Sequence, residues 1–319
     1  MVIINIKLRI TLILIGGYMK KYLIIMVSLL LVVLTGCSTN DKSNDKFTVV
    51  ASTTMLGDLV QQIGKDKVDV TLLFGPGIDP HLTLPTGGDT AVIKNADLVV
   101  FSGLHLEAQF RQVLDSYKDK TIEVGEMIDE SFLLYVEEDG GKSVDPHIWF
   151  NVILWKEVTK VVRDELMVKD SINAEFYQKN AEEYLTQLDE LNEYIISRTN
   201  ELTKEQRVLV TAHDAFNYFA NTYGYEVAAI AGISTEGEVT TEDINNVAST
   251  IINHSVKSIF IESTVPQTTV DAVIAEVKRR GGSVAIGNEL YSDALGVNED
   301  AQYINALKKN IDSIVAGLK

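Results

Sequence analysis

Asp79-Pro80-His81 and Asp145-Pro146-His147 are the same tripeptide, and they use two of the chain's five histidines and two of its five prolines. Proline fixes its own φ and restricts the residue before it, so each copy presents its imidazole from a stiff local frame. Neutral imidazole is the commonest metal ligand among side chains. The repeat therefore points to a metal site assembled from separate segments. His213 in Val210-Thr211-Ala212-His213 and Asp293 in Tyr291-Ser292-Asp293-Ala294 extend the set. His81, His213 and Asp293 each follow the carboxyl end of a strand-like run, and His147 does so less clearly. Ligands of open α/β sheets bind outside the carboxyl ends of their strands. Three imidazoles and one carboxylate make a mostly nitrogen donor set. Such a set suits Zn2+, Mn2+, Fe2+ or Co2+, whereas Ca2+ and Mg2+ prefer oxygen.

Each residue also has an ordinary reading. His81 and His147 could cap helices or form turns, His213 alone is an unremarkable histidine, and loop aspartates such as Asp293 commonly cap or turn. Asp79 and Asp145 could orient the imidazoles or cap the next turn. Glu262, at the end of the Ile259–Ile261 run, could orient a ligand from behind or serve as a buried structural carboxylate. His105 and His254 lack the strand-end address. His105 follows Gly103-Leu104 at the start of an expected helix, and His254 closes a helix, where its charge suits the dipole.

The elements that must position these residues alternate. Strands are expected near Val49–Ser52, Val68–Phe74, Leu98–Phe101 and Thr121–Val124. Helices are expected at Met55–Ile63, Gly87–Lys94, Leu106–Tyr117 and Val152–Met167. The rhythm returns with strands near Val208–Thr211, Val227–Ile230, Ser258–Ile261 and Val284–Ile286, separated by helices at Ala215–Thr222, Thr241–Asn253 and Thr268–Arg279. A helix over Glu299–Leu318 ends the chain. Alternating strands and helices indicate α/β layers with parallel sheets. Between the two series, residues 173–202 contain neither Gly nor Pro. Tyr177, Ala181, Tyr184, Leu188, Leu191 and Ile195 recur there as an apolar stripe. About 30 residues at about 1.5 Å each would span about 45 Å, enough to link two lobes. A short coiled coil is the other reading of that stripe. The division expected is a lobe over 47–172, a linking helix over 173–202 and a lobe over 203–319.

The chain has 319 residues and a formal charge of −17. Met19-Lys20-Lys21, the apolar run Tyr22–Leu34 and Leu34-Thr35-Gly36-Cys37 read as a secretory signal with a lipobox. The apolar run is too short to span a bilayer, and a span begun earlier would bury Lys20 and Lys21. Residues 1–36 are thus expected to be a signal region, with translation starting at Met19. Cys37, the single cysteine, would become the lipidated N-terminus, and residues 37–46 a polar tether. That leaves no thiol for metal ligation, catalysis or disulfides. Loss of 1–36, which carry Lys7, Arg9, Lys20, Lys21 and no acid, brings the formal charge to about −21. Such a balance argues against nucleic acid and anionic lipid surfaces as partners.

The lipobox, both D-P-H copies, Gly103-Leu104-His105-Leu106-Glu107, Thr211-Ala212-His213-Asp214-Ala215-Phe216, Ile259-Phe260-Ile261-Glu262-Ser263 and Leu290-Tyr291-Ser292-Asp293-Ala294-Leu295-Gly296 occur together. In that combination, over residues 47–319, the chain resembles the cluster A-I (cluster 9) metal-binding lipoproteins, the solute-binding proteins of manganese, zinc and iron ABC transporters. The resemblance implies two α/β lobes joined by one rigid helix, with a single metal in the cleft held by His81, His147, His213 and Asp293. It implies Mn2+ or Zn2+ as cargo, a permease with its cytoplasmic ATPase as partner, and a location outside the cytoplasm on a lipid anchor. It also implies small lobe movements. A monomer is expected. The segment Glu137–Ser143 lacks the histidine-rich loop typical of the zinc branch, which points toward manganese. His213 stands where many manganese proteins have glutamate, which resembles the branch that holds both metals. Thr83 and Asn151 depart from the family's usual aromatic and aspartate.

Two rival classes fit the sequence less well. An exported metallohydrolase needs an open coordination position and a general base, and neither H-E-x-x-H nor G-x-S-x-G occurs. An adhesin would be favoured by repeats or a wall-anchoring signal, and neither is seen. Histidine ligation implies that affinity falls below about pH 6.5 as protons compete for the imidazoles.

Overall fold

The computed structural model describes residues 46–138 and 141–319. The expected signal region 1–36 with its start at Met19, and Cys37 with most of its tether, lie outside the described residues. Among the described residues no helix is long and apolar enough to cross a membrane.

The first half builds a parallel sheet from β1 (Phe47–Ala51), β2 (Val68–Leu72), β3 (Leu98–Phe101) and β4 (Thr121–Glu123), in the order β2-β1-β3-β4. Side chains alternate across a strand. Accordingly Val49, Ala51, Leu98 and Val100 enter the main core, while Val50, Val99 and Phe101 join Phe74, Ile93 and Phe110 in a smaller cluster. Between the strands run α1 (Thr54–Gly64), α2 (Gly87–Asn95) and the short α3 (Arg111–Asp115). Thr86 and Asp89 form a capping box that starts α2. An antiparallel hairpin follows, β5 (Tyr135–Glu138) with β6 (Gly141–Val144), and then α4 (Val152–Lys169).

The connecting helix is α5 (Ala174–Thr199), 26 residues long, which at about 1.5 Å per residue spans about 39 Å. The stripe of Tyr177, Ala181, Tyr184, Leu188, Leu191 and Ile195 is buried along its whole length. Near its start Asn180 Nδ2 donates to Ile63 O of α1 at 2.8 Å. Near its end Tyr194 Oη and Arg198 Nε donate to Asp312. One apolar face is therefore shared by both halves of the molecule.

The second half repeats the plan with β7 (Val208–His213), β8 (Glu226–Ala231), β9 (Ser258–Ile259) and β10 (Ala285–Ile286), in the order β10-β9-β7-β8, all parallel. Its helices are α6 (Asn217–Tyr223), α7 (Thr241–His254), α8 (Thr268–Arg279) and α9 (Tyr303–Leu318). Thr240 and Asp243 form the capping box that starts α7, and Gly281 follows α8 at φ +83°. The result is a two-lobed α/β fold. Contacts hold Lys46–Lys319 together as one compact unit.

The structure departs from the expected elements in several places. Leu106–Tyr117 is not one helix. Gly103, Leu104 and His105 occupy the left-handed region at φ +74°, +54° and +69°, and the chain regains helical geometry only in a 3-10 turn at Ala108–Phe110 and in α3. Glu107 supplies the reason. Its carboxylate is drawn inward to accept from Ser52 Oγ (2.5 Å) and from the N–H groups of Ser102 and Gly103. Burial pushes that carboxyl up. The β5–β6 hairpin was not anticipated, and β7 runs on to His213 because that residue still pairs with Ala231.

Candidate metal centre

Each D-P-H forms a tight turn in which the aspartate receives the N–H of the histidine two residues on. Asp79 Oδ1 accepts from His81 N at 2.8 Å, and Asp145 Oδ1 accepts from His147 N at 2.9 Å. The same Asp145 oxygen lies 2.7 Å from His147 Nδ1. His213 is held similarly from another chain segment. Glu262 Oε1 accepts from the N–H groups of Ala212 and His213 at 2.8 and 3.0 Å, and Glu262 Oε2 lies 2.5 Å from His213 Nδ1. A carboxylate at Nδ1 favours a proton on that nitrogen and turns the Nε2 lone pair inward.

Asp293 completes the group from the loop after Leu290, which bridges to Glu262. The loop is pinned on both sides of Asp293. Ser292 O accepts from Trp149 Nε1 at 3.0 Å, and Leu295 N donates to Thr54 Oγ1 at 2.7 Å. Trp149 is in turn held by Tyr303 Oη, which donates to Trp149 O at 2.6 Å.

These placements bring His81, His147, His213 and Asp293 together, each buried, with one donor atom apiece all within 4.8 Å of one another. The three Nε2 atoms lie 3.7, 3.4 and 3.2 Å from Asp293 carboxylate oxygens. Neither those Nε2 atoms nor the two Asp293 oxygens has a hydrogen-bond partner. Buried polar atoms are nearly always paired, and an unpaired one costs about 1–3 kcal/mol. Five converging polar atoms of this kind match the needs of one cation of a metal that favours nitrogen. His105 and His254 are both exposed and stand outside the group.

The charges respond to this crowding. Burial pushes His81 down to about 4, against the pull of Asp293. Burial would also lower His147, but the Asp145 and Asp293 carboxylates outweigh it and lift the imidazole to about 9. His213 is raised in the same way by Glu262 and Asp293. Asp293 is held well below the usual carboxylate range, because the His213 and His147 imidazoles overcome its burial.

Glu262→Gln keeps an acceptor for the two N–H groups and removes the charge behind His213. It should weaken metal binding by about tenfold to a hundredfold, measured by competition with a chelator. An unchanged affinity would mean that Glu262 serves only the fold.

Sequence reading did not single out Asn217, Tyr218 or Thr235. Asn217 Nδ2 donates to Asp145 Oδ2 at 3.1 Å, and Tyr218 Oη donates to Asp145 O at 3.0 Å. Thr235 Oγ1 donates to Asp79 Oδ2 at 2.6 Å. Each bond joins the two halves of the chain, so no local pattern announces it. Asn217 and Tyr218 lie just past the His213 motif, which was the one available hint.

Comparison with known proteins agrees with this architecture. The manganese-binding lipoprotein MntA of Bacillus subtilis is 36% identical over 293 residues, covering 90% of this chain and 95% of that protein. The zinc-binding protein TroA of Treponema pallidum is 38% identical over 285 residues, covering 88% of this chain and 92% of its own. The solved structure of the Treponema pallidum periplasmic zinc-binding protein TroA superposes with a TM-score of 0.83 at 38% identity, over 86% of this chain and 99% of that one. Residues 49–317 match the family described as ZnuA, zinc-uptake complex component A periplasmic, and the chain belongs to that family.

Proposed function

We propose that the protein captures one divalent transition metal ion, Mn2+ or Zn2+, outside the cytoplasm and delivers it to an ABC permease driven by a cytoplasmic ATPase. The observation that carries this reading is the set of five buried, unpartnered donor atoms on His81, His147, His213 and Asp293. We assign those four residues as the ligands, with Asp145 and Glu262 orienting two imidazoles and Asp79 seating the third. The printed names of the relatives, manganese-binding for MntA and zinc-binding for TroA, support those two metals as cargo. Capture and release require no catalytic group, and we read the protein as a carrier rather than an enzyme. A hydrolytic metal centre keeps an open coordination position, and four protein ligands do not provide for one.

In this reading residues 1–36 are a signal region, Cys37 carries the lipid, and the tether to 46 leads into a lobe over 47–172. The helix over 173–202 joins it to a lobe over 203–319. The chain works as a monomer.

Calorimetry on the metal-stripped full-length chain in detergent tests the function. One equivalent of Mn2+ or Zn2+ should bind, with a higher melting temperature, as expected when a ligand binds only the folded state. Zn2+ binding without Mn2+ binding would assign the carrier to zinc. Binding of neither would refute the site. Where both ions bind, the tighter hold on Zn2+ would not name the cargo, since Zn2+ outcompetes Mn2+ at most nitrogen and oxygen sites.

A further inference from the structure

The two D-P-H turns share a design that extends beyond the turn. In each, one oxygen of the aspartate holds its own histidine's N–H, and the other oxygen receives a donor from the second half of the chain. For Asp145 that donor is Asn217, and for Asp79 it is Thr235. The surroundings differ. Asp145 is fully buried, its carbonyl is held by Tyr218, and Phe150 packs on Phe216 nearby with ring centroids 4.3 Å apart. Asp79 and Thr235 are only half-buried, and both sit in irregular segments, between β2 and α2 and between β8 and α7.

The segment carrying Thr235 is bounded on both sides. Gly232 O accepts from Asp214 N, Ile233 is buried, and the capping box at Thr240 begins α7. Between these anchors the chain reaches across to the first lobe twice in succession. Thr235 meets Asp79, and Glu236 Oε1 accepts from Gln109 Nε2 at 2.7 Å. The Gln109–Glu236 bond is exposed and competes with water. The Thr235–Asp79 bond is short and charge-assisted, and such bonds are roughly twice as strong as neutral ones. Around the turn Ile78, Leu82 and Leu84 are exposed, while Pro80 and His81 between them are buried.

We propose that Thr235 is a positioning residue for metal retention: its hydroxyl seats Asp79, Asp79 seats the His81 backbone, and the bond between the lobes sets how long the metal stays. The His147 and His213 ligands remain fixed while this tie opens, so release proceeds by withdrawal of His81. The proposal rests on the metal-binding reading above.

The test follows Zn2+ leaving the loaded full-length protein into an excess of a coloured chelator, by stopped flow, for wild type, Thr235→Ala and Thr235→Ser. Loss of one hydrogen bond to a charged group should speed release in Thr235→Ala by about tenfold or more. Thr235→Ser, which keeps the hydroxyl, should stay near wild type. The metal-free melting temperature of Thr235→Ala should fall by only a few degrees, as the loss of one hydrogen bond predicts, and rescue of the release rate by serine separates the hydroxyl's role from a general loss of packing. Release from Thr235→Ala at the wild-type rate would overturn the proposal while leaving the metal site intact. So would a serine variant as fast as the alanine one. Wild-type protein that takes up no Zn2+ would overturn the metal-binding reading and this proposal with it.

Discussion

Between pH 7.5 and pH 5.5 the affinity for Zn2+ should fall by about a hundredfold or more, at least one proton competing over two pH units. His147 and His213 are the groups concerned, because their carboxylate neighbours raise both above the ordinary imidazole value, His147 to about 9. The sign follows directly. A nitrogen that holds a proton cannot take a metal, so below its pKa each such group costs about tenfold in affinity per pH unit. A raised pKa therefore extends the loss upward, and affinity should still be climbing as pH rises toward 9. His81, pushed down to about 4, is already free of its proton across this range and adds no slope. The structure thus moves the onset of weakening above the value near 6.5 that unperturbed imidazoles imply. Calorimetry in buffers of different ionisation enthalpy should show at least one proton released per metal bound at pH 7. A flat affinity from pH 8 to 5, or no proton release, would contradict ligation by these imidazoles.

His213→Ala should weaken binding by well over about a hundredfold, beyond the tenfold to hundredfold usual for losing a residue that only orients a ligand. The loss is large for two reasons. One of four donors disappears, and Glu262 Oε2 is left buried without the imidazole it faces. His254→Ala is the matched control. His254 lies exposed at the end of α7, and its replacement should leave affinity within about twofold, in line with ordinary surface substitutions. Equal effects of the two substitutions, measured by chelator competition, would mean that His213 is not a ligand. Melting temperatures without metal would separate misfolding from lost ligation.

Much of this arrangement is legible because it is local. The aspartate-to-histidine hydrogen bond in each D-P-H closes over two residues, so the tripeptide carries its own geometry. The stripe on α5 is read from spacing alone because one face stays buried from Tyr177 to Ile195. The features that escaped depend on distant chain. Nothing near Leu106 reveals that Glu107 is turned inward by Ser52, fifty-five residues away, and so the helix-like spacing of Leu106, Phe110 and Leu114 misled. The β5–β6 pairing joins two short polar runs, Tyr135–Glu138 and Gly141–Val144, which carry too little apolar alternation to announce strands. The different fates of Asp79 and Asp145 are set by Thr235 and Asn217, donors from the opposite lobe, and identical tripeptides cannot encode that difference.

The carboxylates standing behind His147 and His213 have an effect beyond aiming the rings. By raising the proton affinity of each inner imidazole, they set protons in competition with the ion, so loading exchanges charge as well as adding it. The formal charge of the buried centre then changes by less than the two units the ion carries, and a partner at the surface would meet a correspondingly smaller difference in field. Recognition of a laden molecule would then rest more on the contour of its surface than on its charge.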